Sequence, residues 1–204
     1  MAILSKNIIK KLYYKEGLST IEIGKELAVS EWVVLSFMRR NDMARRTFFE
    51  ANQKKFERKP LSFSIKKNLS VKEKELKTAG AMIYWAEGAK AVNSAWTIDF
   101  ANSNTSMVKL FLKFLREICR VDEKRLRVQL YCYSNQGVED LKKYWYKETR
   151  IPLTQFIKPY VREDFLPEKI GKMKYGLVHI RYSDKKLLLQ IGRWIEEYCL
   201  KNKI

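Results

Sequence analysis

Apolar positions recur at helical spacing near the start of the chain. Leu4, Ile8, Ile9 and Leu12 share one face, and Gly17 ends the run. Ser19 opens a second predicted helix, with Glu22 three residues on to complete a capping box. Ile23 and Leu27 give that helix a buried face, and Ser30 caps a third helix carrying Val33, Val34, Phe37 and Met38. From residue 44 to 68 the chain turns polar and basic, with only scattered apolar positions, and reads as a connecting arm. Ser70 and Glu73 then form another capping box. The helix they open runs through Leu76, Ala79, Gly80, Ile83 and Tyr84 to Glu87, with Gly88 placed to stop it. Beyond it the period switches repeatedly between two and three to four. Strands are predicted over 95–101, 126–133, 155–162 and 175–183, and helices over 105–119, 137–149 and 185–200.

This pattern divides the chain into a small all-α domain at 1–46, a basic linker arm at 47–69 and an α+β domain at 70–204. Apolar residues make up 46% of the 204, enough to fill a core. No stretch approaches a membrane span, and the start is too charged after Leu4 for a secretory signal, so an intracellular, cytoplasmic protein without a membrane partner is expected. Cys119, Cys132 and Cys199 are too scattered for a disulfide framework or a zinc site, and Cys119 and Cys132 read as core. His179 is the single histidine, which leaves almost no material for a Ser-His-Asp triad.

Charge changes the picture most. The chain carries 41 Lys and Arg against 23 Asp and Glu, a formal +18. Residues 1–68 hold 15 basic and 7 acidic groups and the remainder 26 and 16, so both parts are basic. A chain of this kind attracts polyanions, and nucleic acid is the commonest inside cells. The segment 19–40 then gains meaning. Two short helices joined at Ala28-Val29-Ser30 have the organisation of a helix-turn-helix, with Gly24 small where they cross and Ile23, Leu27, Val29, Val34 and Phe37 turned inward. Such a unit holds an exposed helix for the major groove. Ser30, Glu31, Trp32, Leu35 and Ser36 would face the groove, and Arg39, Arg40, Arg45 and Arg46 would reach phosphates. The segment looks like the helix-turn-helix domains of resolvases and sigma factors, with Ala28 where the turn usually has glycine. Glu31 repels the DNA backbone, though a carboxylate can accept from cytosine; a generic three-helix packing module is the alternative.

Residues 76–90, LKTAGAMIYWAEGAK, form an apolar helix that ends in an acid and a glycine. A carboxylate there meets the negative end of the helix dipole, a placement that favours a nearby cation. The small residues Ala79, Gly80, Ala86 and Gly88 would let a second helix approach closely. This helix resembles the signature helix of the LAGLIDADG homing endonucleases, and the resemblance extends over nearly all of residues 70–200. It implies a saddle-shaped antiparallel sheet covered by helices, and two such units packed through their signature helices. With one motif in the chain, it implies a homodimer through the 76–88 helix. Glu87 falls on the family's catalytic, metal-binding acid, Gly88 on the closing glycine and Ala86 on the small residue before the acid; Met82 stands where glycine is common. The implied cofactor is Mg²⁺, held by Glu87 from each copy, with Gln129, Lys158 or Lys174 positioning water or charge.

Strand alternation adds a second candidate surface. One face carries Ile98, Phe100, Val128, Leu130, Cys132, Val178, Ile180 and Tyr182. The other carries Thr97, Asp99, Arg127, Gln129, Tyr131, Lys158, Tyr160, Arg162, His179 and Arg181, as a sheet laid on DNA requires. The function expected is sequence-selective binding of double-stranded DNA, with metal-dependent phosphodiester cleavage or, as an alternative, a non-cleaving transcriptional regulator on the same fold. An RNA-binding or structural adaptor is the reading from a different class.

Overall fold

The computed structural model describes residues 4–89, 96–163 and 173–204. The chain forms two compact units, residues 1–60 and 61–204. In the first, α1 (Lys6–Ile9) continues into a π-helical stretch at Lys10–Lys15, followed by α2 (Thr20–Glu26), α3 (Glu31–Arg40) and α4 (Phe48–Arg58). Each helix start has a local cause. Ser19 and Glu22 form the reciprocal box at α2, and the Ser30 hydroxyl accepts from the Val33 amide at α3. Ile9, Leu12, Tyr13, Ile23, Val34, Met38 and Met43 make the core. Between α2 and α3, Ala28 adopts a left-handed φ of 54°, the conformation that explains why glycine suits this turn. A side chain at Gly24 would come within 2.7 Å of the Val29 carbonyl oxygen, so the close crossing does require glycine.

The arm expected at 47–69 is not a linker. Thr47 and Glu50 form a full capping box that starts α4, which belongs to the first unit. Arg58 on its last turn donates to Glu22 at 2.9 Å and to the Gly17 carbonyl at 3.2 Å. Residues 61–69 belong to the second unit: the Ser64 amide donates to Cys119 O at 3.1 Å and the Lys66 amide to Ile118 O at 2.9 Å. The deeply buried Tyr182 hydroxyl also donates to Ser62 O.

The second unit is α+β. α5 (Val71–Glu87) precedes β1 (Ile98–Asn102), α6 (Thr105–Lys113) with a π-helical extension at Phe114–Ile118, β2 (Arg127–Tyr133), α7 (Val138–Thr149), β3 (Tyr160–Arg162), β4 (Leu177–Tyr182) and α8 (Lys185–Lys201). The sheet order is β1-β4-β2-β3. β4 runs antiparallel to both β1 and β2, but β3 runs parallel to β2. The sheet is therefore mixed rather than wholly antiparallel, because β2 reaches its neighbour β3 through the α7 crossover, which restores the strand direction. Only 160–162 of the strand expected over 155–162 is regular, since Leu153–Gln155 form a 3₁₀ turn. The start of the strand expected over 95–101 and most of the loop joining the last two strands lie outside the described residues.

All four helices contribute to one core with the apolar face of the sheet. Phe100, Phe111 and Tyr84 stack in series, and Cys119 and Cys132 are buried within this core as expected. Gly80 is turned into it. A Cβ there would lie 2.1 Å from Cγ of Phe114, so the small residue serves packing inside this unit rather than the approach of a second helix. Among the described residues no helix is long and apolar enough to cross a membrane.

Candidate nucleic-acid interface

In the first unit, α3 presents part of the expected surface. Trp32 is 70% exposed, and Arg39, Arg40 and Arg45 are exposed. Ser30 is exposed but is committed to its cap, and Glu31 accepts from the Thr20 hydroxyl at 2.7 Å. Leu35 is half-buried. Two expected contacts are corrected. Ser36 is 8% exposed, buried on the side of α3 away from Val34 and Met38, and so is not open to a groove. Arg46 is an internal clamp rather than a phosphate ligand. Its guanidinium sits 4.0 Å from the Tyr13 ring centroid and donates to Gly17 O at 3.0 Å and to Leu18 O, while its amide donates to the Tyr13 hydroxyl at 2.8 Å. A planar guanidinium suits this joint demand for a stacking face and several donors.

Pairing register assembles the second surface. Asp99 pairs with Arg181, which pairs with Arg127; His179 lies between Ala101 and Gln129. Tyr131 pairs with Tyr160 and Tyr133 with Arg162. Side chains at paired positions point to the same face, so residues from all four strands share one side of the sheet, opposite the core. All of them are half-buried or exposed.

Hydrogen bonds organise that side into two regions. At one end the Asp99 carboxylate lies 2.8 Å from Nδ1 of His179 and 3.0 Å from Nε of Arg181. Arg181 Nη1 donates to Oε1 of Gln129 at 3.1 Å, and Gln129 Nε2 donates to Lys158 O at 3.1 Å. At the other end the Tyr131 and Tyr160 rings stack 4.9 Å apart, and Arg162 donates to the Tyr131 hydroxyl at 3.2 Å. Arg127 is exposed, with Nη1 donating to Lys124 O and Leu126 O at 2.7 Å. Thr97 pairs instead with the Ser183 hydroxyl at 3.0 Å. Lys158 is exposed, and Lys174 sits in the turn before β4 with its ammonium 5.2 Å from the Tyr175 ring centroid. Asp99 thus holds two basic neighbours in place rather than standing free. Alternation along single strands carries no sign of this network, which exists only because β4 lies between β1 and β2. Arg125, which the sequence reading did not single out, supports the rim by donating to Ser183 O at 2.6 Å; its only signal is the Lys124-Arg125 pair before β2.

Glu87 ends α5 and is exposed, its carboxylate making no hydrogen bond or ion pair with another described residue. Gly88 caps the helix in an extended conformation, its amide donating to Tyr84 O at 2.7 Å. Glycine is required here by contact, since a Cβ would meet the Tyr84 ring at 2.5 Å. The next backbone group, Ala89 N–H, donates to Asp99 O at 3.0 Å, and Gly88 bridges to Phe100. The helix end is therefore fastened to the outer edge of β1, beside the Asp99 end of the polar face. Burial raises the pKa of the neighbouring Tyr84 phenol to about 12, so it stays protonated. Asp99 is already paired, and no group of three or more His, Cys, Asp or Glu side chains able to hold a metal occurs among the described residues. The chemistry of Glu87, a hard oxygen donor without a partner, fits one ligand of a magnesium ion.

In comparisons with known proteins the chain matches no family model, no curated protein and no solved structure.

Proposed function

We propose that this chain binds double-stranded DNA sequence-selectively, as a protein of the LAGLIDADG homing-endonuclease kind with an N-terminal helix-turn-helix. The observation that supports this reading best is the register, which gathers Arg127, Gln129, Arg162, His179 and Arg181 on one open side of the sheet. Arginine and glutamine there suit base edges and phosphates. α3, with exposed Trp32, Arg39 and Arg40, supplies the helical contact. Two copies would associate along the outer face of α5, where Ala79 and Ala86 lie two turns apart beside Trp85, which is 46% exposed. Glu87 from each copy would then hold Mg²⁺. When bound, the metal would supply Lewis-acid polarisation of the scissile phosphate. This chain's own part is to fix Glu87 at the edge of β1 and to hold Arg181 and Gln129 through Asp99 for contact with the duplex.

A second reading rests on the Tyr131–Tyr160 pair. Stacked rings beside Arg162 on an open sheet also suit unpaired bases, as in RNA recognition. One experiment separates these outcomes. A randomised duplex library is incubated with the protein in Mg²⁺ and in EDTA, alongside single-stranded RNA. Enrichment of a pseudo-palindromic site, cut on both strands in Mg²⁺ and left intact by Glu87→Gln, is the expected result. Enrichment without cutting by the unaltered protein makes it a non-cleaving regulator. Tighter binding to RNA, with no duplex preference, overturns the DNA reading.

A further inference from the structure

A cleft of about 500 Å³ opens between the first half of α5, the end of α8 and the segment before α5. Lys67, Lys74, Lys77 and Lys201 line it, with Glu197 as the one acidic lining residue among the described residues. None of the four lysines forms an ion pair with a carboxylate among the described residues, although nearby Lys66 does so with Glu73. The Lys77 ammonium lies 4.5 Å from the ring centroid of Trp194, which is nearly buried and anchors the floor. Leu69, Ala81 and Met82 make an apolar wall, and Tyr198, 37% exposed, also lines the cleft.

Position separates this cleft from the proposed DNA surface. Leu76 and Tyr84 of α5 and Leu187, Leu188 and Ile191 of α8 share the core with Ile98, Phe100 and Ile180. Both helices therefore cover the apolar side of the sheet, opposite Arg127, Gln129 and Arg181. A duplex lying on the polar side cannot also neutralise these lysines. Concentrated positive charge, an apolar wall and a volume in the range of small-molecule sites together select an anion with a planar apolar body.

We infer that this cleft binds a nucleoside polyphosphate. The lysine ammoniums take the phosphates, Lys77 is held in place over Trp194, and the base packs against Tyr198 and the apolar wall. The inference does not depend on the DNA reading.

Calorimetric titration of the full chain with ATP, with inorganic tripolyphosphate and with adenosine, in ~0.15 M salt, tests it. Saturable one-to-one binding of ATP is expected, with tripolyphosphate weaker by about tenfold because it lacks the apolar contact. Lys74→Gln with Lys201→Gln, both at exposed positions, should weaken ATP by about a hundredfold, about tenfold per charge-assisted contact. Arg127→Gln, on the polar face, should leave ATP binding unchanged. Absence of saturable ATP binding overturns the inference, as does tripolyphosphate binding as tightly as ATP, or an unaltered affinity in the double lysine variant. Equal losses of ATP and duplex affinity in that variant also overturn it, since the cleft would then be part of a polynucleotide track.

Discussion

Replacing Gly80 by alanine tests whether this small residue serves the chain's own core or a second helix. The added methyl would sit 2.1 Å from Cγ of Phe114 and 2.5 Å from its Cβ, far inside van der Waals contact. Phe114 is fully buried and touches Phe111 and Trp194, so its ring has nowhere open to move. Overpacking of a dense core costs about 1–3 kcal/mol, and a clash this close belongs at the top of that range. Alanine returns about 1 kcal/mol through its better helix propensity. The net expectation is a loss of about 2 kcal/mol, roughly a 6 °C drop in Tm for a unit of this size. Thermal and urea unfolding followed by far-UV circular dichroism at two protein concentrations measures it. If Phe114 is the obstacle, Gly80→Ala should cost less in a Phe114→Leu background, with a coupling of about 1–2 kcal/mol. An unchanged or raised Tm would refute the reasoning, and so would a loss seen only on dilution, which would place Gly80 in a contact between copies.

Two further expectations concern the first unit. The Arg58 guanidinium and the Ser19 amide beside Glu22 lower its pKa from the ordinary 4.5 to about 2. This contribution is complete above the ordinary carboxylate pKa and is lost as the pH falls through about 2. The pair is nearly half exposed, so it is worth less than about 1 kcal/mol, and Arg58→Gln should move the acid-unfolding midpoint slightly upward, as read by circular dichroism between those pH values. Arg46→Gln should destabilise this unit by about 1–3 kcal/mol through lost carbonyl bonds and ring contact. Exposed Arg39→Gln should leave stability within about 0.5 kcal/mol yet lower the salt slope of DNA binding by about one; a reversed pattern in melting and salt titration would contradict the assignment of Arg46 as a clamp.

Local signals carried well from sequence to structure. The boxes at Ser19/Glu22 and Ser70/Glu73 need only three residues of spacing, and both form. Strand alternation separated the core face from the polar face, because a period of two depends on the pleat alone. The Thr47/Glu50 box was equally present, but the helix it opens buries no residue and leaves Phe48 and Phe49 exposed, so no core stripe marked it. Non-local relations were not legible. Ser36 and Arg46 have surface chemistry, and only the folded unit shows Ser36 buried and Arg46 seated over the Tyr13 ring. Likewise the Asp99–His179–Arg181–Gln129 network needs β4 between β1 and β2, an order that no single segment encodes.

That strand order has a temporal side. β4 is the last strand in the chain, yet it alone joins β1 to β2. As a ribosome releases the polypeptide, β1 and β2 wait with their facing backbone groups unpaired until residues near 177–182 emerge. The helical first unit draws its core from residues between Ile9 and Met43 and can collapse well before then. The second unit must assemble in one late step, so the interval between β2 and β4 is when its apolar strands are most open to a chaperone or to aggregation.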